Sequence, residues 1–324
     1  RDAKIDSIAD RAELTRGAVY SNFPGKRALY FAVLAEAADG APAAARPAPG
    51  TSAQNALGAL ARAWVARLPL TTDEQGSASR LGTDLMPVIV ADDQVGRPFA
   101  QLMKLQALLL GLALEQSSSR SATSRMVRVA EAALTTLHGA SQMAAAAPGF
   151  VEPFDVVTMC ERLASLDLGD SWQPPHIAHI PQARPADESW TPPVAEDAVR
   201  GQPARLTGDG VVAVLGLHRI AAIEEAVRAA PSGVDVTAVL VTSSPAELMP
   251  LVRLVMAELR GWLRAAFAPA VWPRLQVVCD GSALAAAAGL PVVSDATEAA
   301  VRVQANRIVR RADGFGACHA AAVS

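Results

Sequence analysis

His218, Ser243, Asp280 and Ser282 are of the types that build a hydrolytic triad, in which a hydroxyl attacks, an imidazole takes its proton and a carboxylate holds the imidazole. They fall in residues 216–219, 242–244 and 280–282, each just beyond a short β-branched run. Neither serine stands in a Gly-x-Ser-x-Gly elbow, and no P-loop or Gly-x-Gly-x-x-Gly turn follows a strand. Ser244-Pro245-Ala246-Glu247 reads instead as a capping box with proline at the first helical position, a helix start that also suits a phosphate or carboxylate. The pattern predicts a chain that is not an enzyme, with no catalytic residue, no cofactor and no metal. Cys160, Cys279 and Cys318 lie far apart, with no CxxC pair and no histidine at ligand spacing. They exclude a disulfide scaffold or a structural zinc site, read as packing residues, and suit the cytoplasm.

A second group of polar residues lies near the start. Arg16, Lys26 and Arg27 follow the last of the local acids, Asp2, Asp6, Asp10 and Glu13, although the whole chain carries a formal charge of only −3. With 324 residues, 51% of them hydrophobic and 19% charged, the chain is long enough for about two domains and too apolar for disorder. Its longest apolar run, residues 107–114, is far short of the ~18–20 a membrane span needs, so no membrane partner is expected.

The elements around those cations are short helices. Ile5, Ile8, Ala9 and Ala12 recur at the spacing of one helix face. Glu13-Leu14 interrupts it, Thr15 is a good N-cap for a second helix that Pro24 ends, and Lys26 opens a longer helix that fades at Gly40. Two short helices and a longer one at tight turns make a helix-turn-helix unit. The run from Ile5 through Thr15-Arg16-Gly17-Ala18-Val19-Tyr20-Ser21-Asn22-Phe23-Pro24-Gly25-Lys26 to Leu29 closely resembles the DNA-binding signature of the TetR/AcrR family of transcriptional regulators. That signature has a Thr/Ser-x-Gly-x-aliphatic-Tyr recognition helix, a Phe, a short turn and a Lys opening the next helix. Glu13-Leu14 departs from it where a small residue is usual, and the family's first helix would precede Arg1.

The resemblance implies operator DNA as partner, with Thr15, Arg16, Gly17, Tyr20, Ser21, Asn22 and Lys26 as contacts. The chemistry agrees. Arg16 can give a bidentate pair to guanine, Thr15 can cap the helix and touch a phosphate, and Gly17 lets the backbone come close. Tyr20 and Asn22 reach phosphates or base edges, and Lys26 sits at a helix N-terminus that itself favours phosphate.

Helices continue to about Leu168. Leu57, Leu60, Ala61, Trp64, Val65 and Leu68 form one stripe, Leu81, Leu85, Met86 and Ile89 another bent near Pro87, and the helix from Phe99 to Leu112 is apolar on most sides. The resemblance implies that these helices bind an effector. An apolar lining favours a small lipophilic one, with Trp64, Met86, Phe99 and Met103 as candidate walls. Two later helices, 124–146 and 153–166, carry the small and aliphatic residues of a homodimer interface, the role the resemblance gives them. His138 reads as a core or surface imidazole rather than a switch.

The expected fold is therefore mainly α, with an additional α/β end. Residues 1–40 are the DNA reader and 41–168 the effector-binding and dimerisation bundle. Residues 169–206 are a Pro-rich linker, and 207–324 a small α/β domain with a parallel sheet. In that last segment strands are expected at 211–215, 234–241, 275–278 and 291–293, and a helix from Thr297 to Arg310. The functional expectation is a ligand-responsive repressor. The alternatives are a regulator whose α/β domain is itself an enzyme or sensor, and a scaffold whose α/β domain only enlarges the dimer.

Overall fold

Among the described residues of the first half of the chain, the stretches with apolar residues at helical spacing are helical, except that Ala12, Leu68 and Leu166 lie just past helix ends. The computed structural model describes residues 4–40, 52–68, 85–117, 125–174 and 182–323. Its helices there are α1 (Ile5–Arg11), α2 (Arg16–Asn22), α3 (Lys26–Asp39), α4 (Ala53–Val65), α5 (Leu85–Val90), α6 (Asp93–Ser117), α7 (Val127–Ala146) and α8 (Pro153–Leu163). Leu81 and Ser124, expected in two of them, lie outside the described residues. The stripe on α4 is buried from Leu57 to Val65, and in α6 the side chains of Leu102, Leu105, Leu109, Leu110 and Leu114 are wholly inside.

The second half forms a six-stranded sheet in the order β1-β8-β7-β4-β5-β6, from β1 (Arg184–Ser189), β4 (Gly210–Gly216), β5 (Asp235–Val241), β6 (Gln276–Val278), β7 (Glu298–Gln304) and β8 (Arg307–Asp313). A two-stranded ribbon, β2 (Glu196–Asp197) with β3 (Gln202–Pro203), stands beside it. Strands β4, β5 and β6 are parallel, joined through α9 (Ile223–Ala229) and α10 (Pro245–Ala266). After α11 (Ser282–Ala287), β7 and β8 run antiparallel and lead into α12 (Ala317–Ala322). Val212, Val214, Val239 and Val278 face one side, with Leu284 of α11 and Trp190. Val211, Ala213, Leu215, Ala238 and Val277 face the other, with α9, α10 and α12.

Three expectations need correction. The sheet is mixed, not parallel, because residues 298–313 are a β-hairpin in place of the helix expected over 297–310. Ala305 and Asn306 take φ of 47° and 58°, the left-handed pair of a tight hairpin turn, and β7 is buried along nearly its whole length. Residues 291–293 form no strand. The stretch 169–206 is not a free linker in its described part. It supplies edge strand β1, the β2–β3 ribbon, and Trp190, buried with its Nε1–H donating to Leu206 O at 2.6 Å.

The capping box fails too. Ser244 stands at the N-cap with φ −127° and ψ 61°, outside the extended backbone that aims a cap hydroxyl at the first turn, and its side chain caps nothing. Glu247 pairs instead with Arg27 of α3.

Helical bundle and sheet share one core that runs without a break from Phe31 of α3 to Ala322 of α12. Helix α10 is the bridge, packing on α3, α4 and α6, and Gln106 of α6 donates to its Val255 carbonyl at 3.0 Å. Arg27–Glu247 joins the starts of α3 and α10, and Arg260–Asp39, at 2.7 Å, joins α10 to the end of α3. The two helices therefore run in the same direction, tied at both ends. A second seam sets Arg125 on Glu224 at 2.7 Å and Arg228 on Glu115 at 2.7 Å, between α6–α7 and α9.

Candidate functional site

Between α1 and α2 the chain turns sharply, and Glu13 takes φ 54° to make the corner. Thr15 then caps α2, its Oγ1 accepting the Ala18 N–H at 3.1 Å. Val19 points inward, which leaves Arg16, Gly17, Tyr20, Ser21 and Asn22 exposed. The Arg16 guanidinium lies 5.5 Å from the centre of the Tyr20 ring and 3.4 Å from the Asp6 carboxylate. Ser21 Oγ and Asn22 Nδ2 both donate to Ala18 O at 2.9 Å. Gly17 has room beside it, since an added Cβ would meet nothing nearer than Thr15 Oγ1 at 3.8 Å. Lys26 is exposed at the first position of α3, whose N-cap Gly25 offers no side-chain bond.

All seven residues expected to contact DNA therefore lie on the exposed side of α2 and at the start of α3. Arg27 does not join them. It turns inward to Asp92 and Glu247, and those partners hold its guanidinium charged against the cost of burial.

Trp64 is buried, its ring 4.5 Å from that of Trp262 of α10 at a tilt and 4.8 Å from that of His138 edge-on, with its Nε1–H donating to Ser141 Oγ at 2.8 Å. Met86, Phe99 and Met103 are half-buried against the same core. His138 packs against Trp64 and Phe99, and burial pushes its imidazole down to about 4.

A cavity of about 680 Å³ opens elsewhere, and none of those four residues lines it. Its walls are the end of α2, the face of α3 that carries Ala32, Ala35, Glu36 and Asp39, residues 193–196 with Ala198, α10, and the turn from β6 into α11. Nothing in the sequence marks it, because its walls come from stretches far apart along the chain.

The four triad-type residues do not meet as a triad. Ser243 and Thr242 donate their hydroxyls to Asp295, at 2.7 and 2.5 Å, while Asp280 lies 3.9 Å from Arg253. Burial raises the Asp295 carboxyl, but those two hydroxyls and nearby His218 outweigh it and hold the group below its ordinary value. A serine that donates straight to a carboxylate has no imidazole to take its proton. Burial pushes the Cys160 thiol up to about 11 and the Cys279 thiol up to about 12, against the low value a reactive cysteine needs.

Among the described residues no group of three or more His, Cys, Asp or Glu is placed to hold a metal, and no helix is long and apolar enough to cross a membrane. No family model, curated protein or solved structure matches the chain.

Proposed function

We propose that the chain is a DNA-binding transcriptional regulator of TetR/AcrR type, a cytoplasmic homodimer whose hold on its operator responds to a small lipophilic molecule. One observation carries this reading: a short, side-chain-capped helix, α2, presents Arg16, Tyr20 and Asn22 outward beside the exposed Lys26. A helix of that kind enters the major groove with its first residues at the base edges, while a flanking cation holds the backbone. Selecting bound sequences from a random duplex pool with the full chain tests the reading. A two-fold symmetric motif is the expected result, and no enrichment over unselected DNA overturns it.

The dimer half of the proposal rests on Met143, Phe150, Phe154, Met159 and Leu166, large apolar side chains left exposed on and around α7 and α8. Large exposed apolar side chains, where they form one patch, are a usual mark of a protein interface. Sedimentation of the parent should show a dimer at micromolar concentration, and Phe154→Asp with Met159→Asp should give monomer with unchanged helicity. A monomeric parent removes this half.

A further inference from the structure

We infer that the 680 Å³ cavity between α3 and α10 is a binding site for a small monocation with an apolar body, and that its occupant controls the set of the DNA-reading helices. The volume lies within the range of pockets that enclose small organic ligands. The wall is two-natured. Phe23, Met249, Met256 and Leu284 give it an aromatic and thioether surface that adapts to apolar shapes.

The charges decide the sign of the ligand. Four carboxylates, Glu36, Asp39, Glu196 and Asp280, face two guanidiniums, Arg253 and Arg260. Arg260 is engaged by Asp39 at 2.7 Å and lies 3.8 Å from Glu196, and Arg253 is 3.9 Å from Asp280. Glu36 makes no ion pair with another described residue, so the lining is left net negative. An anion reaching Arg260 must displace Asp39, and one reaching Arg253 meets the Asp280 carboxylate 3.9 Å away, whereas a cation finds Glu36 with no described ion-pair partner and four carboxylates to two guanidiniums. Phe23 adds an aromatic ring to the lining, and aromatic rings favour positive charge over their faces.

Control of the reader follows from where the walls come from. Asn22 and Phe23 close α2, and Ala32, Ala35, Glu36 and Asp39 belong to α3, so the reading helix and its support line the same space as α10. Arg260–Asp39, which ties the end of α3 to α10, is itself part of the wall. A molecule that displaces Asp39 from Arg260, or wedges α3 from α10, moves α2 relative to its twin in a dimer. Whatever factor the ligand takes from DNA affinity, DNA must take from ligand affinity. This control rests on the DNA-reading proposal; the binding site does not.

The test uses the full chain and two ions of one shape and opposite charge, tetraphenylphosphonium and tetraphenylborate. Calorimetry should show the phosphonium binding at one per chain and the borate at least tenfold more weakly. Glu36→Gln should weaken the phosphonium about fivefold, near the upper range for one exposed ion pair. Ala283→Phe, at an exposed lining position on α11, should abolish binding without changing the melting temperature. Equal binding of the two ions, no saturable binding, or binding indifferent to both variants overturns the site. Selected DNA titrated with and without phosphonium then reads the control. Unchanged affinity overturns the control alone, and failure to bind any duplex while the phosphonium still binds overturns the DNA-reading proposal and leaves the site standing.

Discussion

Arg16 and Lys26 are both exposed cations near helix starts, yet the proposed docking gives them different work. Arg16→Ala should relax specificity at one operator position and cost roughly 1–3 kcal/mol on the selected site, with little loss on random duplex. Lys26→Ala should weaken all duplexes about equally and lower the salt slope by about one. Titrations at several salt concentrations separate the two, and unchanged affinity in both variants refutes the docking. Glu13 offers a test of the turn alone. At φ 54° it occupies the left-handed region that suits glycine, so Glu13→Gly should raise stability by roughly 0.5–1 kcal/mol in urea unfolding. These residues are legible in the sequence because they work within one short stretch. Arg27 is not: its inward turn depends on Asp92 and Glu247, which only the folded chain brings near.

Two helix starts with a hydroxyl residue at the N-cap behave oppositely. Thr15 bonds the Ala18 N–H and Ser244 caps nothing, so Thr15→Ala should cost about 1 kcal/mol while Ser244→Ala costs nearly none. Equal losses in paired unfolding measurements would contradict the backbone angles at Ser244. The same scale shows why some elements are legible and others hidden. Helix α6 declares itself through leucines on most sides, and β4 and β5 through unbroken Val, Ala and Leu runs. Strand β1, Arg-Pro-Ala-Asp-Glu-Ser, is a polar edge with proline and charge in place of any apolar alternation, and so reads as linker. Strand β7 opens on Glu-Ala-Ala and alternates only over Val301-Arg302-Val303-Gln304, a run short enough to read as helix beside the alanines, and only Ala305-Asn306 hints at the turn. The cavity leaves no trace in sequence because it belongs to no element.

At the scale of the molecule, two buried groups set opposing pH slopes. His138 has an ordinary value of 6.5 and about 4 in the fold, so the unfolded chain binds more protons between them and stability from this group falls as pH falls. Glu258 runs the other way. Burial lifts its carboxyl from 4.5 to about 7, only partly opposed by Arg67, so its contribution is full below 4.5 and is lost as pH rises to about 7. Between pH 4.5 and 6.5 the two contributions oppose each other, and Glu225, whose carboxyl burial also raises, adds to that of Glu258. His138→Leu should leave a midpoint that declines with rising pH, and Glu258→Gln one that climbs. Flat profiles in both variants would show that neither group is buried as described.

The core that runs from Phe31 to Ala322 also has a consequence for how the chain comes off the ribosome. The apolar side of α3, with Phe31 and Leu34, is covered by α10, which ends at Ala266. At the ~5–20 residues per second of synthesis, roughly ten to fifty seconds pass between making one surface and making its cover. Through that interval the nascent α3 carries a bare hydrophobic face, a site for chaperones or for premature pairing with a second nascent chain. The helices proposed here to read DNA are made just before α3, but the cover of α3 is finished only after α10 has been translated.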